Sequence, residues 1–186
     1  MGMGLLSLEH GRTAYRADFA LYGAAATGLF VDLMWRGPGG QGVAALAYVA
    51  FGLALWTLIE YLLHRFVLHG PQPFKRWHAE HHQRPTALIG LPTVCSAALF
   101  GLLVYAPVWL AGGTWRANAM TLGVLLGYLA YAYTHHATHH WPAHSAWMRQ
   151  RKRWHALHHH ARERPQHFGV TSALWDHVFG SSARPR

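Results

Sequence analysis

Apolar positions along this chain fall into four long runs without a polar face, at residues 19–35, 43–63, 88–111 and 117–133, separated by segments crowded with histidine and arginine. Each run approaches the roughly 20 residues that cross a bilayer core about 30 Å thick. Charge within them is confined to Asp32, near the end of the first, and Glu60, near the end of the second. Helices buried in a soluble bundle would need polar faces, so the pattern predicts membrane-spanning helices. The first and fourth runs are short and rich in Ala and Gly, which suits helices that pack closely in lipid. Residues 36–42, with Pro38 among glycines, and Gly112-Gly113 read as tight outer turns.

Sixteen Lys and Arg against seven Asp and Glu give a net charge of +9. Counted between the runs, 14 basic residues fall on one side and only Arg36 and Arg116 on the other. The positive-inside rule therefore expects both termini and the central loop in the cytoplasm. The charge then reads as a basic face beside anionic headgroups and not as a nucleic-acid footprint. Topology alone accounts for the run Arg149, Arg151, Lys152, Arg153. A mean hydropathy of +0.04 averages over this two-part organisation and conceals it. Nine Trp, eight Tyr and eight Phe exclude a disordered chain, and the single Cys95 excludes a disulfide scaffold. The weakly basic N-terminus has no short apolar core ending in a cleavage site, so the first helix is expected to remain. The expectation is one all-α domain over 1–186, a four-helix integral membrane part with a cytoplasmic histidine-rich helical cap from residues 64–87 and 134–186.

Sixteen of the 17 histidines follow residue 63, and none lies inside an apolar run. Each cluster sits where a run meets the same membrane face, so a four-helix arrangement brings the clusters together. In Trp77-His78-Ala79-Glu80-His81-His82 and Trp154-His155-Ala156-Leu157-His158-His159, histidines at i, i+3 and i+4 project from one helix face. His135 and His139 share a face in the same way. His64 and His69 are about 140° apart on a regular helix. Both reach one site only if the helix ends or bulges between them, and Gly70-Pro71 supports an ending. Clustered imidazoles with almost no carboxylate or thiol point to a nitrogen-rich transition-metal site. Ten exceed the roughly four to six ligands of one metal, which suggests two metals with room for water or dioxygen. A closed structural zinc site commonly uses cysteine, and Cys95 is mid-membrane. A histidine-rich metal buffer or nucleic-acid tail would show loose repeats. His10 and His144 read as surface residues.

These motifs resemble the membrane-bound fatty acid hydroxylase and sterol desaturase superfamily. The resemblance rests on Glu60-Tyr61-Leu62-Leu63-His64-Arg65-Phe66-Val67-Leu68-His69, on Trp77 to His82, on Thr134-His135-His136-Ala137-Thr138-His139-His140 and on Arg153 to His159. The ending from Phe168 to Gly180 extends it, so residues 60 to 180 are covered. The order HxxxxH, HxxHH, HxxxH, HxxHH is similar to that of fatty acid 2-hydroxylases, whereas bacterial carotenoid hydroxylases space the third box differently and lack this ending. The resemblance implies a di-iron centre with His64, His69, His78, His81, His82, His135, His139, His155, His158 and His159 as ligands. His136, His140 and His160 are extra, and His140 or His160 either neighbours the site or replaces an assigned ligand. Some relatives carry a fused N-terminal electron carrier. Only about 18 residues precede the first run here, so a separate ferredoxin or b-type cytochrome with its reductase is implied, docking on the basic face.

Unactivated C–H bonds do not yield to acid–base or nucleophilic side chains, so metal would do the oxidation while the protein orients the substrate and excludes water. The leading expectation is a dioxygen-dependent hydroxylase of lipid acyl chains, of the fatty acid 2-hydroxylase kind. A carotenoid hydroxylase or sterol-type oxygenase or desaturase of the same superfamily is an alternative, and a non-catalytic metal-binding membrane protein is another. Zinc in purified protein would not refute iron, because zinc outranks ferrous iron at nitrogen sites. Glu60, one turn before His64, is expected either to orient that imidazole or to be a helix-end charge. Asp176 is expected to orient His177 or a neighbouring basic residue. Trp77, Trp141, Trp147, Trp154 and Trp175 suit an interfacial aromatic belt, some of them lining the channel for the chain.

Overall fold

The computed structural model describes residues 8–37, 39–161 and 165–182. Pro38 of the expected outer turn and the basic residues Arg162, Arg164, Arg184 and Arg186 lie outside them. Among the described residues every regular element is helical, as expected, and the one isolated bridge joins Glu9 to Ile89. The chain divides into two compact units, Met1–Trp56 with Leu88–Leu129 and Thr57–Ala87 with Ala130–Arg186. Two of the three divisions between them fall inside helices, and the third, at residues 87–88, falls in a non-helical connection.

The first unit holds α1 (Arg12–Arg36), most of α2 (Gly42–Leu62), α4 (Thr93–Phe100), a π-helical turn (Gly101–Tyr105), α5 (Ala106–Gly112) and the first part of α6 (Thr114–His140). Among the described residues, three helices are long and apolar enough to cross a membrane: Arg12–Arg36, Gly42–Leu68 and Thr93–Gly112. Leu103, Leu110 and Val43 are 70%, 77% and 85% exposed. An apolar surface of that extent is matched to lipid, not water, and marks an integral membrane protein.

Two of the expected runs differ in detail. The third helix begins at Thr93, not Leu88, because Ile89 pairs with Glu9 and Pro92 drives the residue before it out of helical geometry. The fourth run lies within α6, but residues 117–125 form an unbroken buried stretch and α6 is not among the three apolar helices. Its small residues explain this central position. A Cβ on Gly52 of α2 would collide with the Met120 carbonyl of α6, and one on Gly123 with the Val49 carbonyl of α2, so the two backbones meet where only glycine fits. Tyr22, Ala26, Leu122 and Leu125 form the core beside this crossing. Polar pairs add to it: Asp18 accepts from Thr93 Oγ1 (2.7 Å) and Tyr128 OH (3.2 Å), and Asn118 donates to Asp32 (2.7 Å).

The second unit contains the end of α2, a π-helical turn (Leu63–Leu68), α3 (Phe74–Gln83), the end of α6, α7 (Ala146–His160) and α8 (Leu174–Val178). Ser145 caps α7, its hydroxyl accepting from the Met148 amide at 3.1 Å. The segment 165–173 has no helix and forms a strap leading to α8.

Candidate metal centre

The π-helical turn answers the spacing problem of His64 and His69. The His69 amide bonds the His64 carbonyl at 3.2 Å, an i to i+5 pairing. The widened turn brings the two rings to 5.3 Å between centroids, and the helix then ends at Gly70-Pro71.

Nine imidazoles gather into two groups, His64, His69, His78, His82 and His158 in one and His81, His139, His155 and His159 in the other, with one nitrogen of each within 4.8 Å of the rest of its group. The tenth expected residue, His135, lies against the second group, its Nε2 3.1 Å from that of His81. The two HxxHH boxes do not supply one group each. His78 and His82 of the first box enter the first group while His81 enters the second; His158 of the second box enters the first group while His155 and His159 enter the second. The i, i+4 pair of each box thus faces one group and the i+3 residue the other.

The contacts are between Nε2 atoms: His64–His78 3.0 Å, His82–His78 2.9 Å, His69–His158 3.1 Å, His155–His139 2.8 Å and His159–His155 3.1 Å. A neutral imidazole Nε2 carries either one proton or one lone pair. His78 and His155 each have two such neighbours, more than ordinary hydrogen bonding satisfies. Nitrogens bound at about 2.0–2.1 Å to one cation and at right angles to each other lie about 3.0 Å apart. The donor set and its spacing therefore fit two transition-metal ions.

Protonation states agree with ligation. Burial, reinforced by neighbouring imidazoles, holds His82 and His159 down to about 4, His139 to about 3 and His81 to about 2. Burial and then Lys75 bring His69 to about 4. Burial also lowers His78, His135, His155 and His158. At neutral pH these rings are uncharged and keep a lone pair for a metal. An open cavity of about 850 Å³ borders both groups, lined by His69, His82, His139 and His159 together with Lys75 and Lys152.

The strap touches the first group. His64 Nδ1 donates to the Phe168 carbonyl at 2.6 Å and His158 Nδ1 to the Gln166 carbonyl at 2.7 Å, which leaves both Nε2 atoms unprotonated. Buried carboxylates hold the strap. Glu60 accepts from the Val170 amide (2.6 Å), the Thr171 amide (3.0 Å) and the Thr171 hydroxyl (2.5 Å). Asp176 accepts from the Phe168 amide (2.9 Å), the Gly169 amide (2.8 Å) and the Ser181 hydroxyl (2.7 Å). Gly169 is required here, because a Cβ would strike the Ser172 carbonyl and approach Asp176. Tyr61, fully buried, adds a 2.9 Å contact to Ser181.

Several expectations change. Glu60 does not bond the His64 ring; it reaches that ring through the strap. Asp176 binds strap amides, while His177 donates to the Ala173 carbonyl at 2.6 Å. Arg151, read as part of a basic surface, is 6% exposed and stacks on Trp154 at 4.2 Å. Its spacing of four and seven from the buried His155 and His158 was the available signal. Trp154 packs between Arg151 and His167, and Trp175 bonds Thr57 at 3.0 Å, so neither is a free belt residue. Trp141 and Trp147 are 41% and 48% exposed. His136 and His140 stack on each other at 4.3 Å, outside both groups, and His160 lines the cavity. His10 and His144 also lie outside both groups.

The fatty acid hydroxylase family matches residues 49–181. Dihydroceramide fatty acyl 2-hydroxylase FAH2 of Arabidopsis thaliana is 37% identical over 145 residues, covering 72% of this chain and 59% of that protein. Fatty acid 2-hydroxylase of Homo sapiens is 31% identical over 140 residues, covering 69% and 37%. The chain thus spans between about a third and three fifths of the length of these relatives. Full-length scs7p, solved with only its hydroxylase domain visible, superposes with a TM-score of 0.73 at 26% identity, covering 92% of this chain and 67% of that one.

Proposed function

The chain belongs to the fatty acid hydroxylase family, and we propose that it is a membrane-bound di-iron hydroxylase that places a hydroxyl on a lipid acyl chain, at the carbon next to the carbonyl. The observation that carries this reading is the pair of imidazole groups with Nε2 atoms 2.8–3.1 Å apart. Sequence relatives named as fatty acyl 2-hydroxylases support acyl chains as the substrate class over carotenoids or sterols. His64, His69, His78, His82 and His158 would hold one ion, and His81, His139, His155 and His159 with His135 beside them the other. Bound iron supplies the redox chemistry that turns dioxygen into an oxidant for a C–H bond.

The chain's own residues do the rest. Burial keeps the imidazoles neutral, and the strap carbonyls hold the Nδ1 protons of His64 and His158 so that their Nε2 atoms face inward. The cavity beside both groups receives the reacting part of the acyl chain, where Lys75 and Lys152 can hydrogen-bond its carbonyl. Each turnover consumes one dioxygen, two electrons and two protons and forms one hydroxyl and one water. The electrons come from a carrier of the ferredoxin or b-type cytochrome kind, for which the exposed Arg76, Arg149 and Arg153 offer a basic docking face. The basic-residue asymmetry puts the termini and the histidine segments on the cytoplasmic side.

The test compares lipids by mass spectrometry from cells expressing the wild type or the His155→Ala, His159→Ala double variant. Acyl chains about 16 daltons heavier, lost in the variant, are the expected result. Unchanged acyl lipids with a supplied redox partner would reject the reading and bring carotenoids and sterols forward.

A further inference from the structure

The strap serves the two histidine groups unequally. In the first group, His64 and His158 each donate Nδ1–H to a strap carbonyl, at 2.6 and 2.7 Å. In the second, the Nδ1 atoms of His81 and His155 are buried and have no hydrogen-bond partner among the described residues. A ring whose distal N–H is held by a carbonyl has a fixed tautomer, a fixed orientation and a more basic ligating nitrogen; a ring without that bond lacks this support. Glu60 and Asp176 extend the asymmetry. Between them they fasten four consecutive strap amides, Phe168 to Thr171, next to the two accepting carbonyls. His167 between those carbonyls adopts φ 55°, a conformation unusual for a residue with a Cβ. The strap therefore keeps its shape through contacts outside the histidine groups.

We propose that the two groups bind metal with unequal strength, the group containing His64 and His158 holding its ion more tightly because Glu60 and Asp176 lock the strap that orients those two imidazoles. Glu60 and Asp176 are positioning residues for one metal and not for the other. The proposal rests on the metal-centre reading above and assigns its two ions different lability.

The experiment uses the full chain in detergent, loaded with zinc alone, with bound metal measured by elemental mass spectrometry as a chelator is raised stepwise. Zinc should leave in two steps at chelator concentrations at least about tenfold apart. His139→Ala should abolish the labile step and keep the tight one. Glu60→Gln and Asp176→Asn should each move the tight step toward the labile one by about 10- to 100-fold while the labile step stays in place. A merely structural role would move both steps together. If those variants do not fold, Thr171→Val, which removes one hydroxyl from Glu60 and leaves both strap amides, should shift the tight step in the same direction by less. Two equivalent ions leaving in a single step, or variants that loosen both equally, would overturn the proposal and leave the metal centre standing. A chain that takes up no zinc would overturn the metal-centre reading itself.

Discussion

His82 and His159 lie ring on ring, with centroids 4.2 Å and planes 10° apart, although they belong to different histidine groups. Their stack is the closest of the ring contacts that join the two groups, with His155 on His158 at 6.0 Å and His78 beside His81 at 5.8 Å. The protein therefore builds one centre with two compartments, and removing either ring opens both. His159→Ala takes a nitrogen from one group and the packing partner of a nitrogen in the other, so bound metal should fall by more than about half. His140→Ala, outside both groups, should leave metal content unchanged. Elemental analysis of the two purified variants decides this.

The strap makes Gly169 irreplaceable. Gly169→Ala would push a methyl group into the Ser172 carbonyl and the Asp176 carboxylate, and should destabilise the protein by about 1–3 kcal/mol. Thermal unfolding in detergent should show the loss. Ala at Gly101, where a Cβ meets nothing within 4 Å, is the matched control.

Acid should weaken the metal-free protein. His69, His82 and His159 are held to about 4 and His139 to about 3, while an unfolded chain titrates its histidines near about 6.5. Between those values the unfolded state binds more protons than the folded one, so stability present above about 6.5 is lost as pH falls toward about 4. The thermal midpoint of the metal-free chain should drop between about pH 7 and pH 5. A flat or rising midpoint would show that these imidazoles are not held neutral by burial.

The exposed apolar faces predict a membrane phenotype. Leu103, 70% exposed within the span Thr93–Gly112, should tolerate Leu103→Phe. Leu103→Arg should disfavour insertion by about 2.5–3.5 kcal/mol. Resistance to alkaline extraction from membranes distinguishes the two variants.

Much of this centre was legible in the chain. Spacing and family resemblance single out ten histidines, of which the structure gathers nine into two groups with His135 beside the second, and the five-residue gap from His64 to His69 demanded the distortion that the π-helical turn supplies. The split of each HxxHH box between two groups was not legible. Residues at i, i+3 and i+4 share a face on a single helix, and only α3 and α7 placed against each other's histidines separate the i+3 ring from its neighbours. Glu60 and Asp176 stand out in the sequence, but their partners are strap amides 110 and 7 residues away at the nearest, and backbone amides carry no signature in sequence. Arg151 failed for a related reason: a basic run reads as surface unless its phase with the buried His155 and His158 is weighed first. The start of the third helix depended on the pairing of Ile89 with Glu9, a contact invisible to local hydropathy.

The most direct measurement is isotopic. Iron-loaded full chain, given an acyl lipid, a reduced electron carrier and ¹⁸O₂, should yield hydroxylated lipid about 18 daltons heavier than the substrate, against about 16 with ordinary dioxygen. The His155→Ala, His159→Ala variant should yield none. Hydroxyl oxygen drawn from water, or no hydroxylated product from a chain shown to carry its iron, would contradict the account.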